Sequence, residues 1–86
     1  MTKIVFNKNF VKKLRKLDPK IRKALRDKSA IFKENKFDPI LNNHSVEKRY
    51  PCCRSINITG DFRIIFQDFG NVAEFLKIGT HSELYK

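Results

Sequence analysis

Eighty-six residues with 41 % apolar side chains, eight Phe and no Trp make one domain, 1–86, with a single modest core, and exclude a disordered chain. No apolar run approaches the roughly 18–20 residues needed to cross a bilayer, which excludes a helical membrane span. The formal charge is +10, and its excess lies wholly in residues 1–36, where 13 Lys and Arg face only Asp18, Asp27 and Glu34, so a polyanion is the expected partner.

Residues 3–6 alternate Lys-Ile-Val-Phe and read as a short strand. The opening residues show no apolar signal core with a small-residue cleavage site, so the expected location is cytoplasmic. Asn7 suits a helix N-cap, and Phe10, Leu14 and Leu17 then recur at helical spacing. Asp18-Pro19 ends that helix and starts the next, since Asp caps and Pro fits the first helical position. Ile21, Ala24, Leu25, Ile31 and Phe32 form the second apolar stripe. The result is a basic helical hairpin. Lys12, Lys13, Lys16 and Lys23 stand off its stripes and are the expected contacts to RNA or the ribosome. The narrow stripe is needed for the core, which argues against a membrane-surface helix.

Residues 37–51 read as a long connection without regular structure, anchored by Phe37, Ile40, Leu41 and Val46. His44, Lys48 and Arg49 are its polar outliers. Cys52 and Cys53 are the only cysteines; adjacent, they are expected to stay reduced, one pointing in and one out. No second pair exists for a zinc site.

An antiparallel meander follows, with strands expected over 52–58, 62–67 and 72–78. Ile56, Ile58, Phe62, Ile64 and Phe66 fall on one face, and Asn57 and Arg63 on the other. The last strand is ambiguous, because Glu74 alternates with Val72, Leu76 and Ile78 while Lys77 falls on the Phe75 side. Helices can cover one face only, so the Asn57/Arg63 face is expected to be open. Asp61 stands in the tight Thr59-Gly60-Asp61 turn, and His81 and Tyr85 follow a Gly79-Thr80 break.

The segments N-N-H-S-V-E-K-R-Y (42–50), R-S-I-N-I-T-G-D-F-R-I-I-F (54–66) and I-G-T-H-S-E-L-Y (78–85) resemble the RelE/YafQ family of toxins from type II toxin–antitoxin pairs. With the N-terminal strand and basic helices the likeness spans the chain, and the tail is most similar to the YafQ branch. It implies an α+β, RelE-like microbial RNase fold: an N-terminal strand, a basic helical hairpin, then an antiparallel sheet with a short C-terminal tail. It also implies ribosome-dependent cleavage of mRNA without metal or other cofactor, by attack of the ribose 2′-hydroxyl, and hence inhibition of translation. The implied partners are mRNA, the ribosome and a cognate acidic antitoxin, with operator DNA met only through the antitoxin. By the same resemblance His44, Asp61, His81 and Tyr85 match YafQ-branch positions. Arg63 matches a phosphate-binding arginine of RelE. Asn57 departs, standing where that branch has His and RelE has Lys.

The chemistry can be weighed on its own terms. In-line attack needs a proton acceptor, a charge stabiliser and a proton donor for the leaving oxygen. The two histidines alone have unperturbed pKa values near neutrality. His81 fits the general acid, with His44 or Asp61 as base. Arg63 and Arg54 can pair with phosphate. Tyr85 can stack on a base, Asn57 can hydrogen-bond but not exchange protons, and Lys48 and Arg49 lie nearby in sequence as further substrate contacts. The bland alternatives are a turn role for Asp61, an ion pair of Arg63 with Glu74, and a packing role for Tyr85. The competing function is a binding module of the same fold without nuclease activity, as in the gyrase-directed ParE toxins. Two His with few clustered carboxylates make no metal set.

Overall fold

A computed structural model describes residues 1–86. Strand β1 (Lys3–Phe6) leads to helix α1 (Lys8–Leu14) and, after a turn, to helix α2 (Pro19–Glu34). Both helix starts follow from their caps. The Asn7 side chain accepts the Asn9 N–H and the Asp18 carboxylate accepts the Lys20 N–H, each at 2.8 Å, while Pro19 supplies a ready-made helical φ.

The connection expected to lack regular structure holds two short pieces. One turn of 3-10 helix spans Pro39–Leu41, capped by Asp38, and strand β2 is His44–Ser45. Strands β3 (Arg54–Asn57), β4 (Phe62–Asp68) and β5 (Val72–Thr80) form the meander, and β5 runs without a break into a short helix α3 (His81–Leu84). The strand expected from residue 52 starts at Arg54, because Cys52 takes a left-handed turn conformation (φ 65°) and gives its N–H to the Glu47 carboxylate. Cys52 is exposed and Cys53 buried, and burial first, then Cys52 and Glu47, pushes the Cys53 thiol up, so it packs as a thiol.

The sheet order is β1-β5-β4-β3-β2. Strands β2 to β5 are antiparallel, as expected, but β1 joins alongside β5 in parallel, Ile4 opposite Ala73 and Phe6 opposite Phe75. The sheet is therefore mixed.

Helices α1 and α2 cover one face. Phe10, Leu25 and Phe32 close there on Ile56, Ile58, Ile64, Phe66, Phe75 and Ile78. Phe75 is the centre, with the rings of Phe32, Phe6, Phe10 and Phe66 around it at centroid separations of 5.3, 5.7, 5.8 and 6.0 Å.

A bulge resolves the ambiguous strand. Phe66 pairs with Phe75, but Ile65 pairs with Lys77, so Leu76 and Lys77 together oppose Ile65. The extra residue resets the alternation. Phe75 and Ile78, three apart, both reach the helix-covered core, while Leu76 turns to the other face.

That other face is not open throughout. Leu84 of α3 and Val46 and Cys53 of the β2–β3 connection close over Ile65, with Tyr50, Leu76 and Tyr85 at the margin. The expectation that helices cover one face fails because the C-terminal tail is itself a helix with an apolar side. The end of this face near the β3–β4 turn is left for polar groups, and the two flanks of the Ser55/Ile65 row carry exposed His44 and Lys77.

Candidate active site at the β3–β4 turn

Strand pairing gathers the polar residues at one end of the sheet. Asn57 lies opposite Arg63, and Arg63 opposite Gly79. One step further Phe62 pairs with Thr80, and the His81 N–H donates to the Asp61 carbonyl at 3.1 Å. Asn57, Asp61, Arg63 and His81 therefore share one corner.

His81 is exposed at the first position of α3, and its ring stacks on Tyr85 at 4.7 Å between centroids. Tyr85 in turn meets Tyr50 edge-on at 6.0 Å, and the Tyr50 hydroxyl donates to the Leu84 carbonyl. The imidazole is thus held from below by an aromatic stack that belongs to the second core.

Helix α3 is short and owes its place to explicit ties. The Thr80 hydroxyl accepts the Glu83 N–H and the Glu83 carboxylate accepts the Thr80 N–H, a complete capping box. Lys13 of α1 reaches the same carboxylate at 3.1 Å. The Thr80 N–H and the Lys13 ammonium hold the Glu83 carboxyl below its ordinary range. At Asp68 burial pushes the carboxyl up, but the Gly70 N–H and the Lys36 ammonium at 2.9 Å outweigh it, and its pKa is also lowered. A carboxylate with a depressed folded-state pKa adds stability that is full above its unfolded pKa and is lost as pH falls through the folded value. Melting temperature should therefore hold through neutral pH and fall below the ordinary carboxylate range, near pH 4. The drop should be shallower in Asp68→Asn and Glu83→Gln than in the parent; parallel curves would refute the linkage.

Arg63 does not pair with Glu74. Its guanidinium folds back on its own turn and donates to the carbonyls of Gly60, Thr59 and Phe62 at 3.1, 3.2 and 3.3 Å. Glu74 instead accepts from the Asn7 side chain. The Asn57 Oδ1 is buried without a hydrogen-bond partner, as is the Ser55 hydroxyl two residues before it on the same face. The Asp61 carboxylate has no partner and is exposed.

The remaining site residues are spread more widely. His44 lies opposite Ser55 on the outer strand, on the same face as Asn57 but toward the far edge, with Nδ1 2.7 Å from the Asn42 carbonyl. Arg54 lies opposite Phe66 and so belongs to the helix-covered face. There its Nε donates to Asn43 and its guanidinium lies over Phe37 at 5.6 Å, away from the corner. Lys48 is exposed, and Arg49 stacks over Tyr50 and reaches the Lys86 carbonyl. These two line a shallow depression of about 390 Å³ beside Tyr85. Of the four lysines expected on the helical hairpin, Lys12 and, in the turn between the helices, Lys16 are exposed and unpaired, whereas Lys13 holds Glu83 and Lys23 holds Asp27.

The structure adds Lys77. Strict alternation puts it on the core side, but the bulge turns it to the His44/Ser55/Ile65 row, exposed and without a carboxylate partner. The only sequence signal was the conflict between Glu74 and Lys77, which a bulge between them removes.

No family model matches the chain, and no curated protein sequence does. Solved structures do. YafQ from E. coli strain BL21(DE3) superposes with a TM-score of 0.76 over 100 % of both chains at 16 % identity. The RelB–RelE antitoxin–toxin complex from Methanococcus jannaschii gives 0.75 over 95 % of both chains at 23 % identity. A YoeB/ParE toxin from Agrobacterium tumefaciens gives 0.73 over 93 % of this chain and 99 % of that one at 14 % identity.

Proposed function

We propose, from the fold this chain shares with the RelE, YafQ and YoeB/ParE toxins, that it is the toxin of a toxin–antitoxin pair and cleaves mRNA on the ribosome. The observation that carries this reading is the corner where His81 and Asp61 are joined through their backbones beside Arg63 and Asn57. A binding module has no need of an exposed imidazole, an unpaired carboxylate and a guanidinium around one turn.

In the proposed reaction the 2′-hydroxyl attacks the adjacent phosphorus, and the bond to the 5′-oxygen of the next nucleotide breaks. His44 across the face or Asp61 at the corner takes the hydroxyl proton, and His81 gives a proton to the leaving oxygen. Arg63 answers the charge that grows on the phosphate with Nε and Nη2, while its Nη1 is tied to the turn carbonyls and fixes the guanidinium. Tyr85 stacks on a base and Asn57 accepts or donates one hydrogen bond. Lys12 and Lys16 steer the protein to ribosomal RNA. No residue in this scheme calls for a metal or cofactor.

The neighbouring RelE was solved with its antitoxin RelB. Together with the +10 charge this supports an acidic antitoxin as partner here, through which operator DNA would be met. The likeness to a YoeB/ParE toxin supplies the rival outcome, a toxin acting on gyrase.

The test is a translating ribosome programmed with a message carrying one 2′-deoxy nucleotide at the cut position. The expected result is complete loss of that cut with chelator-insensitive cleavage of the all-ribose message. Cleavage of the deoxy message would make water the nucleophile and overturn the role assignment. Inhibition of supercoiling with intact message would select the gyrase reading.

A further inference from the structure

Helix α3 carries the His81 imidazole, yet one turn is too short to hold itself. Nucleating a turn fixes several dihedrals for few backbone bonds. Of its four residues only Leu84 is buried. Toward α1 the packing does not close. A hollow of about 480 Å³ lies between α1, β5 and α3, lined by Phe10, Leu76, Ile78 and Leu84 together with Lys13 and Glu83. The Lys13–Glu83 ion pair joins the α1 side of this hollow to the α3 side.

Glu83 divides its two oxygens between two elements. Oε1 accepts the Thr80 N–H at 2.8 Å, and Oε2 accepts the Lys13 ammonium at 3.1 Å. Gly79 leaves the room for this. It is buried in β5 opposite Arg63, and a Cβ there would come 3.2 Å from Glu83 Oε1 and 3.5 Å from both Glu83 Cβ and Leu84 Cδ2. Oε1 is the oxygen that the Thr80 N–H holds, so it cannot give way without losing that bond. The Gly79 backbone is not left-handed, so space alone excludes a side chain. The same turn seats the imidazole, with the His81 N–H on the Asp61 carbonyl and the ring on Tyr85.

We infer that Glu83 is the positioning residue for the His81 imidazole, acting through the Thr80 N–H and the Lys13 ammonium in the space that Gly79 leaves open. Lys13 is then a tie within the molecule and not a contact to RNA. The inference rests on the nuclease reading for its effect on cleavage, but not for the tie itself. The two side chains are 40 and 46 % exposed, and a pair so placed adds little to global stability. Its effect is local. It fixes the tilt of one turn whose first residue is the proposed acid, and a displacement of about 1 Å in a reacting group can cost about 10²-fold in rate.

The test has two arms. In the first, amide hydrogen exchange of the isotope-labelled full chain is read by NMR without ribosomes. The His81 amide should exchange at least about fivefold faster in Glu83→Ala, Lys13→Ala and Gly79→Ala, beyond any change at the buried Ile64 of β4, which reports global opening. Glu83→Gln, which keeps an acceptor for the Thr80 N–H, should fall between Ala and the parent, and Lys13→Arg should restore the protection. In the second arm, single-turnover cleavage of ribosome-bound message should slow about 10–100-fold in Glu83→Ala, with ribosome affinity changed under about twofold. Lys13→Ala should slow it less, and the double variant should lose no more than Glu83→Ala alone, because Lys13 acts only through Glu83. Unchanged exchange at His81 would overturn the inference. Losses that multiply in the double variant, or a Lys13→Ala effect confined to ribosome affinity and its salt slope, would return Lys13 to RNA and overturn it equally. A parent that cuts no message refutes the nuclease, while faster His81 exchange in the variants still upholds the tie. A parent that cuts, with variants that cut as fast, does the reverse.

Discussion

Replacing His81 with Ala is expected to slow single-turnover cleavage of ribosome-bound message by roughly 10²–10⁴-fold, the usual worth of a positioned acid. The structure makes this substitution clean. His81 is exposed, and the helix it opens is held by Thr80, Glu83 and Lys13 and not by the imidazole. Its one aromatic contact is the tilted stack on Tyr85, and Tyr85 keeps its edge-on contact with Tyr50 when the imidazole is removed. Ribosome affinity and melting temperature should therefore change little. His81→Arg should keep more activity than Ala, because a cation there still answers the charge on the leaving oxygen. Rapid-quench cleavage with ribosome binding measured in parallel decides the matter. A loss under tenfold, or one matched by a loss of folding, would remove His81 from the proposed chemistry.

The largest effect on stability is expected at Phe75. Truncation to Ala should cost about 3–5 kcal/mol, the range for emptying an aromatic site in a closed core. Phe75 is fully buried and lies where β1, α1, α2 and β4 converge through Phe6, Phe10, Phe32 and Phe66. Domains are stable by only about 5–15 kcal/mol in all, so this one change should remove a large share of the total. Phe69→Ala, at a residue 59 % exposed in the β4–β5 turn, should change stability by under about 0.5 kcal/mol. Denaturant midpoints compare the two, and equal shifts would mean that Phe75 is not the keystone of the core.

What could be read in the chain was whatever local chemistry decides. Asn7 and Asp18-Pro19 start helices because a side-chain oxygen and a fixed φ act within three residues. The strands around Thr59-Gly60-Asp61 follow from alternation and a turn, and the grouping of Asn57, Asp61, Arg63 and His81 follows from those strands. What depends on distant partners was hidden. The parallel seat of β1 needs β5, which lies at the other end of the sequence. Helix α3 was taken as a tail because four residues carry no period, and its capping box shows only once Glu83 is known to fold back on Thr80. The bulge at Leu76 leaves only a contradiction in polarity, so the sequence alone keeps the inward face of β5 ambiguous and the place of Lys77 open. Arg54 qualifies for the site by the fit of a guanidinium to phosphate, but strand parity sends it to the other side of the sheet.

The pairing of β1 with β5 also bears on when the molecule comes into being. Lys3 is aligned with Val72 and Phe6 with Phe75, so the first strand made is completed by the last. While the chain is being synthesised, β1 and the two helices have no Phe75 to close on. Contacts of such long sequence separation form late, after the local turns. His81 comes later still, six residues beyond Phe75, and α3 cannot dock before its own sheet exists. A chain grown only as far as β4 thus lacks both the centre of its core and His81 of the proposed site.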